Sequence, residues 1–172
     1  IEYLKLANPG PVRLLPTDQM AALVVRFLDR FFDLHVMTPV QHAVGAAMTG
    51  DPVKRHEGVA HAEQKLEMAY AWLEGQLVDK AWAAGSDFTL ADCAAAPSLF
   101  YADWTHRIPE SYPVLRAYRA RLLARPSFAR AVDEASGSPA DIFTRTGETR
   151  TFARSCSMPW SGRQRPKCRR TE

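Results

Sequence analysis

The chain has 172 residues, of which 47% are apolar and 24% charged, so one globular domain is expected and a wholly disordered chain is excluded. The net charge of +3 comes from the end of the chain, because residues 145–172 hold eight basic and two acidic residues. The remaining 14 basic and 17 acidic residues make the body mildly acidic, which argues against a nucleic-acid partner. No apolar run approaches the roughly 20 residues that span a bilayer, so no membrane partner is expected.

The cysteines, Cys93, Cys156 and Cys168, are odd in number and include no close pair. This spacing predicts neither a disulfide framework nor a zinc site, and a reducing, cytoplasmic location is the expectation. The sequence begins at Ile1 rather than at Met, and it is expected to be part of a longer protein.

The start of the chain has the composition of a connection between two folded parts. Residues 1–4 have the character of a last helical turn, and residues 5–16 hold three prolines and a glycine, which predicts a linker. A helix is expected to begin with Thr17 as its N-cap and to end or kink at Pro39. Its buried face is predicted from helical spacing to contain Met20, Val24, Phe27, Leu28, Phe31 and Leu34.

Later segments also have helical periodicity. One helix is expected to begin at Asp51-Pro52, a second to run from Thr89 to about Thr105, and a third to run from Pro113 to Ala124. A short last helix is predicted over residues 127–135. The buried face of the helix after Pro52 is predicted to contain Val59, Ala62, Leu66, Ala69, Leu73 and Leu77. The body is therefore predicted to be all-α, a bundle of five or six helices.

The sharpest local pattern is Phe88-Thr89-Leu90-Ala91-Asp92, at the predicted start of the helix that holds many small residues. Thr89 as N-cap and Asp92 three residues later can bond each other's backbone N–H groups, an acidic variant of the capping box. Small residues let neighbouring helices approach closely, so this helix is expected to be the central one.

The run WAAGSDFTLADCAAAPSLFYADW, followed by YPVLRAYRARLLARPSFARAVDEA, resembles the C-terminal helical domain of glutathione S-transferases, in particular bacterial beta-like members. The resemblance implies residues 1–16 as the end of a thioredoxin-like domain and a linker, and residues 17–135 as the helical domain. Residues 136–172 lack helical periodicity, are rich in Arg, Ser, Thr and Pro, and depart from the family's pattern, so they are expected to be a disordered or frame-shifted tail. Most of the thioredoxin-like domain would be missing.

The resemblance also implies how function is divided. In this family the thioredoxin-like domain binds most of the glutathione and supplies the Ser, Tyr or Cys that acts on the thiol, whereas the helical domain forms a wall of the substrate pocket and much of a dimer interface. We therefore expect a homodimer whose intact parent conjugates glutathione to small hydrophobic electrophiles, or reduces them, in detoxification. Glutathione is then the co-substrate, no metal is needed, and no catalytic residue is expected within this chain. A non-catalytic helical interaction module is the alternative.

Site residues follow from the resemblance by motif only. Phe32-Asp33-Leu34-His35 is similar to the Thr-Glu-Leu-His stretch of beta-class members, so His35 is a candidate for the substrate pocket near the glutathione sulfur. Tyr101 and Trp104 are further pocket candidates. Asp29 and Asp33 are candidates to contact glutathione across the dimer. Packing aromatics, a packing histidine and solvated acids remain the alternative interpretations.

Two other features are not assigned to function. His56 and His61 are five residues apart, whereas two histidines that bind one zinc ion from a helix are four apart. Cys93 falls in an apolar helix start, which is typical of an inert packing thiol rather than a nucleophile.

Overall fold

The computed structural model describes residues 13–136, together with Tyr3, Ala7 and Gly10. In that part of the chain every regular element is helical, as predicted. The elements are α1 (Gln19–Phe31), a π-helical segment (Phe32–Met37), α2 (Thr38–Ala47), α3 (Pro52–Gln76), α4 (Leu90–Thr105), α5 (Pro113–Leu123) and α6 (Pro126–Ser136). Residues 137–172 of the predicted tail and half of the predicted linker (5–16) lie outside the described residues. None of the described helices is long and apolar enough to cross a membrane.

Helix α1 begins one residue later than predicted. The N-cap is Asp18 rather than Thr17, and the Asp18 carboxylate accepts the Ala21 N–H at 2.8 Å. A carboxylate at this position also interacts favourably with the positive end of the helix dipole, which a threonine hydroxyl cannot do.

The predicted buried face of α1 was wrong. The side chains that enter the core are those of Ala22, Val25, Leu28, Phe32 and Val36. Of the predicted set only Leu28 is buried; Phe31 is half-buried, whereas Met20, Phe27 and Leu34 are 69%, 55% and 58% exposed. Both sides of this helix are apolar, so helical spacing alone could not distinguish the side that packs inside the domain from the side that is left exposed.

Pro39 neither ends the helix nor leaves it regular. Proline has no N–H, and its ring would clash with the His35 carbonyl in an unbroken α-helix. The chain widens instead into the π-helical segment, in which both the backbone N–H and the hydroxyl of Thr38 donate to the Asp33 carbonyl, the hydroxyl at 2.9 Å. The chain thus continues from α1 to α2 with an inserted π turn, a common cause of helix bending.

Helix α3 packs along α2, and its buried face agrees with the prediction: Ala62, Leu66, Ala69, Leu73 and Leu77 are buried, and Val59 is half-buried. Tyr70 is also buried. The two helices are in close contact where Gly58 of α3 faces Ala46 of α2.

Helix α4 is the central helix, as predicted. It packs against α1, the π-helical segment, α2 and α5. Its buried residues are mostly small: Ala91, Ala95, Ala96, Ser98 and Ala102, with Leu90 and Leu99. Helix α5 buries Leu115, Tyr118 and Leu122 and packs against α4 and α3.

Candidate functional site

The capping box at the start of α4 is present, with Thr89 as the N-cap. Asp92 is fully buried, and its Oδ2 accepts the Thr89 N–H at 2.8 Å and the Thr89 hydroxyl at 3.0 Å. Its Oδ1 accepts the Ala83 N–H at 2.8 Å and the Tyr118 hydroxyl at 2.7 Å. One carboxylate therefore ties the start of α4 to α5 and to the loop before α4.

The loop that presents the Ala83 N–H is a tight turn closed by two backbone hydrogen bonds between Trp82 and Gly85, of 2.8 and 3.0 Å. Gly85 has a φ of +147°, a conformation that residues with a side chain rarely adopt. Burial and the neighbouring Asp92 carboxylate raise the pKa of the Tyr118 hydroxyl, so Tyr118 stays a donor to Asp92. This cluster organises the fold, and all its polar groups are already occupied.

A groove of about 480 Å³ lies between the π-helical segment, α2 and α3, and His35 lines it. The Phe31 ring stacks on Trp72 with centroids 4.1 Å apart, and the His35 ring lies 4.9 Å from Phe31. The remaining lining is Leu34, Thr38, Pro39, His42, His61, Lys65, Met68 and Ala69. The groove thus combines an apolar floor with three imidazoles and one ammonium group, a combination suited to an apolar molecule that carries a hydrogen-bond acceptor.

The other two pocket candidates lie in a different cluster. Trp104 and Tyr101 have ring centroids 5.7 Å apart, and Phe100 lies 4.7 Å from Trp104 and 5.9 Å from Phe128 of α6. Tyr101 is 46% exposed, so it is not a core aromatic. Neither Tyr101 nor Trp104 lines the groove at His35, so these three predicted residues do not share that cavity.

The two acidic candidates share a cation. Arg30 is 2.7 Å from Asp33 Oδ2 and 3.2 Å from Asp29 Oδ2. The Asp33 side chain is 43% exposed and that of Asp29 17%, so Asp33 is the more accessible of the two.

Cys93 lines a second cavity of about 420 Å³ with Leu14, Phe88, Arg125 and Phe128 among its walls. The Arg125 guanidinium lies 3.5 Å from the centre of the Phe88 ring. Burial, followed by the charge of Asp92, raises the pKa of the Cys93 thiol. A thiol with a raised pKa is a poor nucleophile, which agrees with the prediction of a packing residue.

Sequence reasoning missed two polar links made by α3. Glu74 accepts the Val114 N–H at 3.0 Å and the Leu115 N–H at 2.9 Å, so it caps α5 from another helix. Glu67 bonds His106 at 2.9 Å and accepts the Tyr112 hydroxyl at 2.7 Å. These partners are about 40 residues apart, and no local pattern signals them.

No group of three or more potential metal ligands occurs among the described residues. The geometry therefore offers an apolar, imidazole-lined groove and an aromatic cluster, on a helical body that leaves one face of α1 exposed.

Comparison with known proteins shows which family the helical body is similar to. Residues 57–121 match the family model of the glutathione S-transferase C-terminal domain. A curated glutathione S-transferase of Hyoscyamus muticus is 35% identical over 77 residues, which cover 44% of this chain and 36% of that protein. The helical body of this chain is therefore similar to the C-terminal helical domain of the glutathione S-transferase family.

Solved structures agree with this fold. A glutathione S-transferase of Methylobacterium radiotolerans, in complex with glutathione sulfonate, is 30% identical with a TM-score of 0.63, over 76% of this chain and 62% of that one. A glutathione S-transferase domain-containing protein of Marinobacter aquaeolei is 26% identical with a TM-score of 0.62, over 74% of this chain and 64% of that one. The chain thus spans less than two thirds of the length of these relatives.

Proposed function

We propose that this chain is the helical part of a glutathione S-transferase whose whole protein conjugates glutathione to small hydrophobic electrophiles, or reduces them with glutathione. The observation that carries the proposal is the match of residues 57–121 to the family's C-terminal domain. The related structure from Methylobacterium radiotolerans holds glutathione sulfonate, which supports glutathione as the co-substrate.

The proposed chemistry divides between two domains. The thiolate is the nucleophile, so the protein must lower the pKa of the glutathione thiol and hold it near the electrophile. The thiol-activating residue is expected in a thioredoxin-like domain, and none of the residues described here is assigned that role. The helical domain would supply the wall against which the electrophile binds.

His35 is the strongest candidate for a direct role in this chain. Its side chain is exposed at the groove and belongs to a π-helical segment, a structure found frequently at functional sites. An imidazole N–H there could donate a hydrogen bond to the thiolate, while Phe31 and Trp72 would contact the apolar part of the electrophile. Tyr101 and Trp104 are proposed to form a second apolar contact from α4.

Asp33 is proposed to form an ion pair with the ammonium group of the glutathione that the partner subunit binds. Asp29, the less exposed of the two acids, would add its negative charge to the same site. Arg30 now occupies Asp33 at 2.7 Å, so the glutathione ammonium would compete with a cation that is already in place. The Arg30 side chain is 65% exposed and can move away at little cost, because exposed ion pairs contribute only about 0–1 kcal/mol.

The proposal is tested by expressing the chain together with the residues that its gene encodes on either side. We expect this longer protein to conjugate glutathione to a chromogenic aryl halide, and the 172 residues alone to show no turnover. His35→Ala should lower kcat about 10- to 100-fold, the effect of one hydrogen bond to a charged group. His56→Ala, an exposed histidine of α3 outside the groove lining, is the matched control.

Three results would contradict parts of this proposal. Turnover by the 172 residues alone would show that thiol activation lies within this chain. A longer protein that binds no glutathione and conjugates nothing would favour the alternative, a non-catalytic helical interaction module. An upstream domain unrelated to thioredoxin would favour that alternative as well.

A further inference from the structure

A second polar site lies apart from the groove, where the end of α4 meets α5. A pocket of about 270 Å³ opens there between Asp103 of α4, the following loop and one face of α5. Its charged lining consists of three arginines, Arg107, Arg116 and Arg119, and one acid, Asp103. Ile108 and Ala120 complete the wall. The volume is just below the range of about 300–1,000 Å³ that is usual for small-molecule sites, which suits a small ligand.

The single acid of the lining is fully engaged. Asp103 Oδ2 lies 3.1 Å from Arg119, and its Oδ1 accepts the Ile108 N–H at 3.0 Å. Arg119 also donates through Nε to the Leu99 carbonyl at 3.2 Å. Asp103 and Arg119 therefore form part of the fold, and the pair contributes no net charge to the pocket.

The positive charges of Arg107 and Arg116 are not balanced by a carboxylate in this way. Among the described residues, Arg116 has a single long contact of 3.6 Å, with Glu110, whose side chain is 95% exposed. Within the part of the chain that the structure describes, Arg107 makes no hydrogen bond or ion pair. An exposed carboxylate at that distance balances little charge, because such pairs are weak in water.

The three arginines also act on one another. The pKa of Arg119 is lowered first by burial, and Arg107 and Arg116 lower it further, against the opposite effect of Asp103. Arginine does not lose its proton in proteins, so this repulsion is relieved by an anion rather than by titration. Guanidinium groups bind phosphate oxygens with two parallel hydrogen bonds, whereas lysine offers only a point charge.

We propose that the pocket formed by Arg107, Arg116 and Arg119 binds a phosphate group, either as inorganic phosphate or as a small phosphate monoester. The two negative charges of a phosphate dianion balance the two positive charges of Arg107 and Arg116, whereas a single carboxylate balances only one. The pocket shares no residue with the groove at His35, so the site is independent of the proposed transferase function.

The test is calorimetric titration of the full chain with inorganic phosphate and, in a second arm, with glycerol 3-phosphate, each at constant ionic strength in chloride. Arg107→Gln and Arg116→Gln should each weaken binding about tenfold, the change expected for one lost charge-assisted hydrogen bond. Arg119 is left in place because its bonds to Asp103 and Leu99 hold α4 to α5.

The matched control is Arg130→Gln, an exposed arginine of α6 that pairs with Glu134 at 3.4 Å outside the pocket. It should bind phosphate as the parent does. Because residues 145–172 are also basic, the difference between the pocket variants and this control is the decisive readout. Binding of neither probe, or binding that Arg107→Gln and Arg116→Gln leave unchanged, overturns the proposal. Tighter binding of the ester would support the proposal in its phosphate-monoester form, and tighter binding of inorganic phosphate would support it in the other form.

Discussion

Gly58 of α3 lies so close to Ala46 of α2 that a Cβ atom at position 58 would be 2.5 Å from the Ala46 Cβ. Carbon atoms in contact are normally about 3.5–4.0 Å apart, so the two helices could not keep this spacing with alanine at position 58. The close contact of α2 and α3 at this point therefore depends on the missing side chain of one glycine.

Gly58→Ala is expected to destabilise the protein, although alanine favours helix by about 1 kcal/mol over glycine. Overpacking of a tight contact costs about 1–3 kcal/mol, so the net loss in the free energy of unfolding should be at most about 2 kcal/mol. Gly75→Ala, on the same helix with open space around its Cβ position, should instead gain about 0.4–1 kcal/mol. Urea denaturation of both variants measures the difference, and equal stabilisation by both would refute the close contact.

Asp92→Ala should be one of the most damaging single substitutions in the chain. It removes a buried carboxylate that accepts hydrogen bonds from Ala83, Thr89 and Tyr118. An unsatisfied buried donor costs about 1–3 kcal/mol, and several would be created at once. We expect a loss of more than about 3 kcal/mol by urea denaturation.

Asp87→Ala is the matched control for Asp92, because Asp87 is exposed in the same loop and has a 3.4 Å contact with Ser86. It should change the free energy of unfolding by less than about 0.5 kcal/mol. Tyr118→Phe should cost about 1.5–3 kcal/mol, the value of one hydrogen bond to a charged group. If Asp92→Ala proves no worse than Asp87→Ala, Asp92 does not organise the start of α4.

Glu67 should make stability depend on pH. The hydrogen bonds from Tyr112 and His106 lower the pKa of Glu67 in the folded protein, against a smaller opposing effect of burial. A carboxyl with a lowered folded pKa contributes stability that is present above its unfolded pKa, about 4.3, and is lost as the pH falls through the lower folded value. Glu67→Gln should therefore show a shallower loss of stability on acidification below about pH 5.

The measurement is the free energy of unfolding of parent and Glu67→Gln between neutral and acid pH. Glu63→Gln, one turn earlier on α3, is the control and should follow the parent. Parallel curves for the parent and Glu67→Gln would show that the link to His106 and Tyr112 carries no pH dependence.

Local sequence could predict some of these features and not others. Thr89 and Asp92 are three residues apart, so the cap of α4 could be predicted from its pattern, and the small residues behind it indicated a central helix. Tyr118 is 26 residues from Asp92, and Glu74 is 40 from Val114, so these bonds exist only once the helices have packed. The same holds for the pocket at Arg119, whose acid lies on another helix.

The groove at His35 shows the limit of motif reasoning. His35 lines a groove whose opposite wall is contributed by α3, which the motif did not indicate, and its place near the glutathione sulfur stays a prediction. Tyr101 and Trp104, the other two pocket candidates, lie in a separate aromatic cluster, and their role in a substrate pocket stays a prediction. Helical spacing gives the face of one helix, whereas a cavity depends on how two helices meet.

The last prediction concerns the expected homodimer, which we place at the exposed face of α1. Met20, Leu23, Val24, Phe27 and Leu34 are large, apolar and exposed, and Phe27 lies 6.0 Å from the Trp72 ring at the groove. Contiguous exposed apolar surface commonly marks an interface.

If two copies meet here, Phe27→Asp buries a charge at their contact and should weaken the dimer strongly without unfolding the monomer, since Phe27 contributes little to the core. Val78→Asp, at an exposed position after α3, should leave association unchanged. Sedimentation velocity over a range of concentrations measures both variants, with circular dichroism as the check on folding. A parent chain that stays monomeric, or a Phe27→Asp variant that still dimerises, would mean that the α1 face is covered by something other than a second copy.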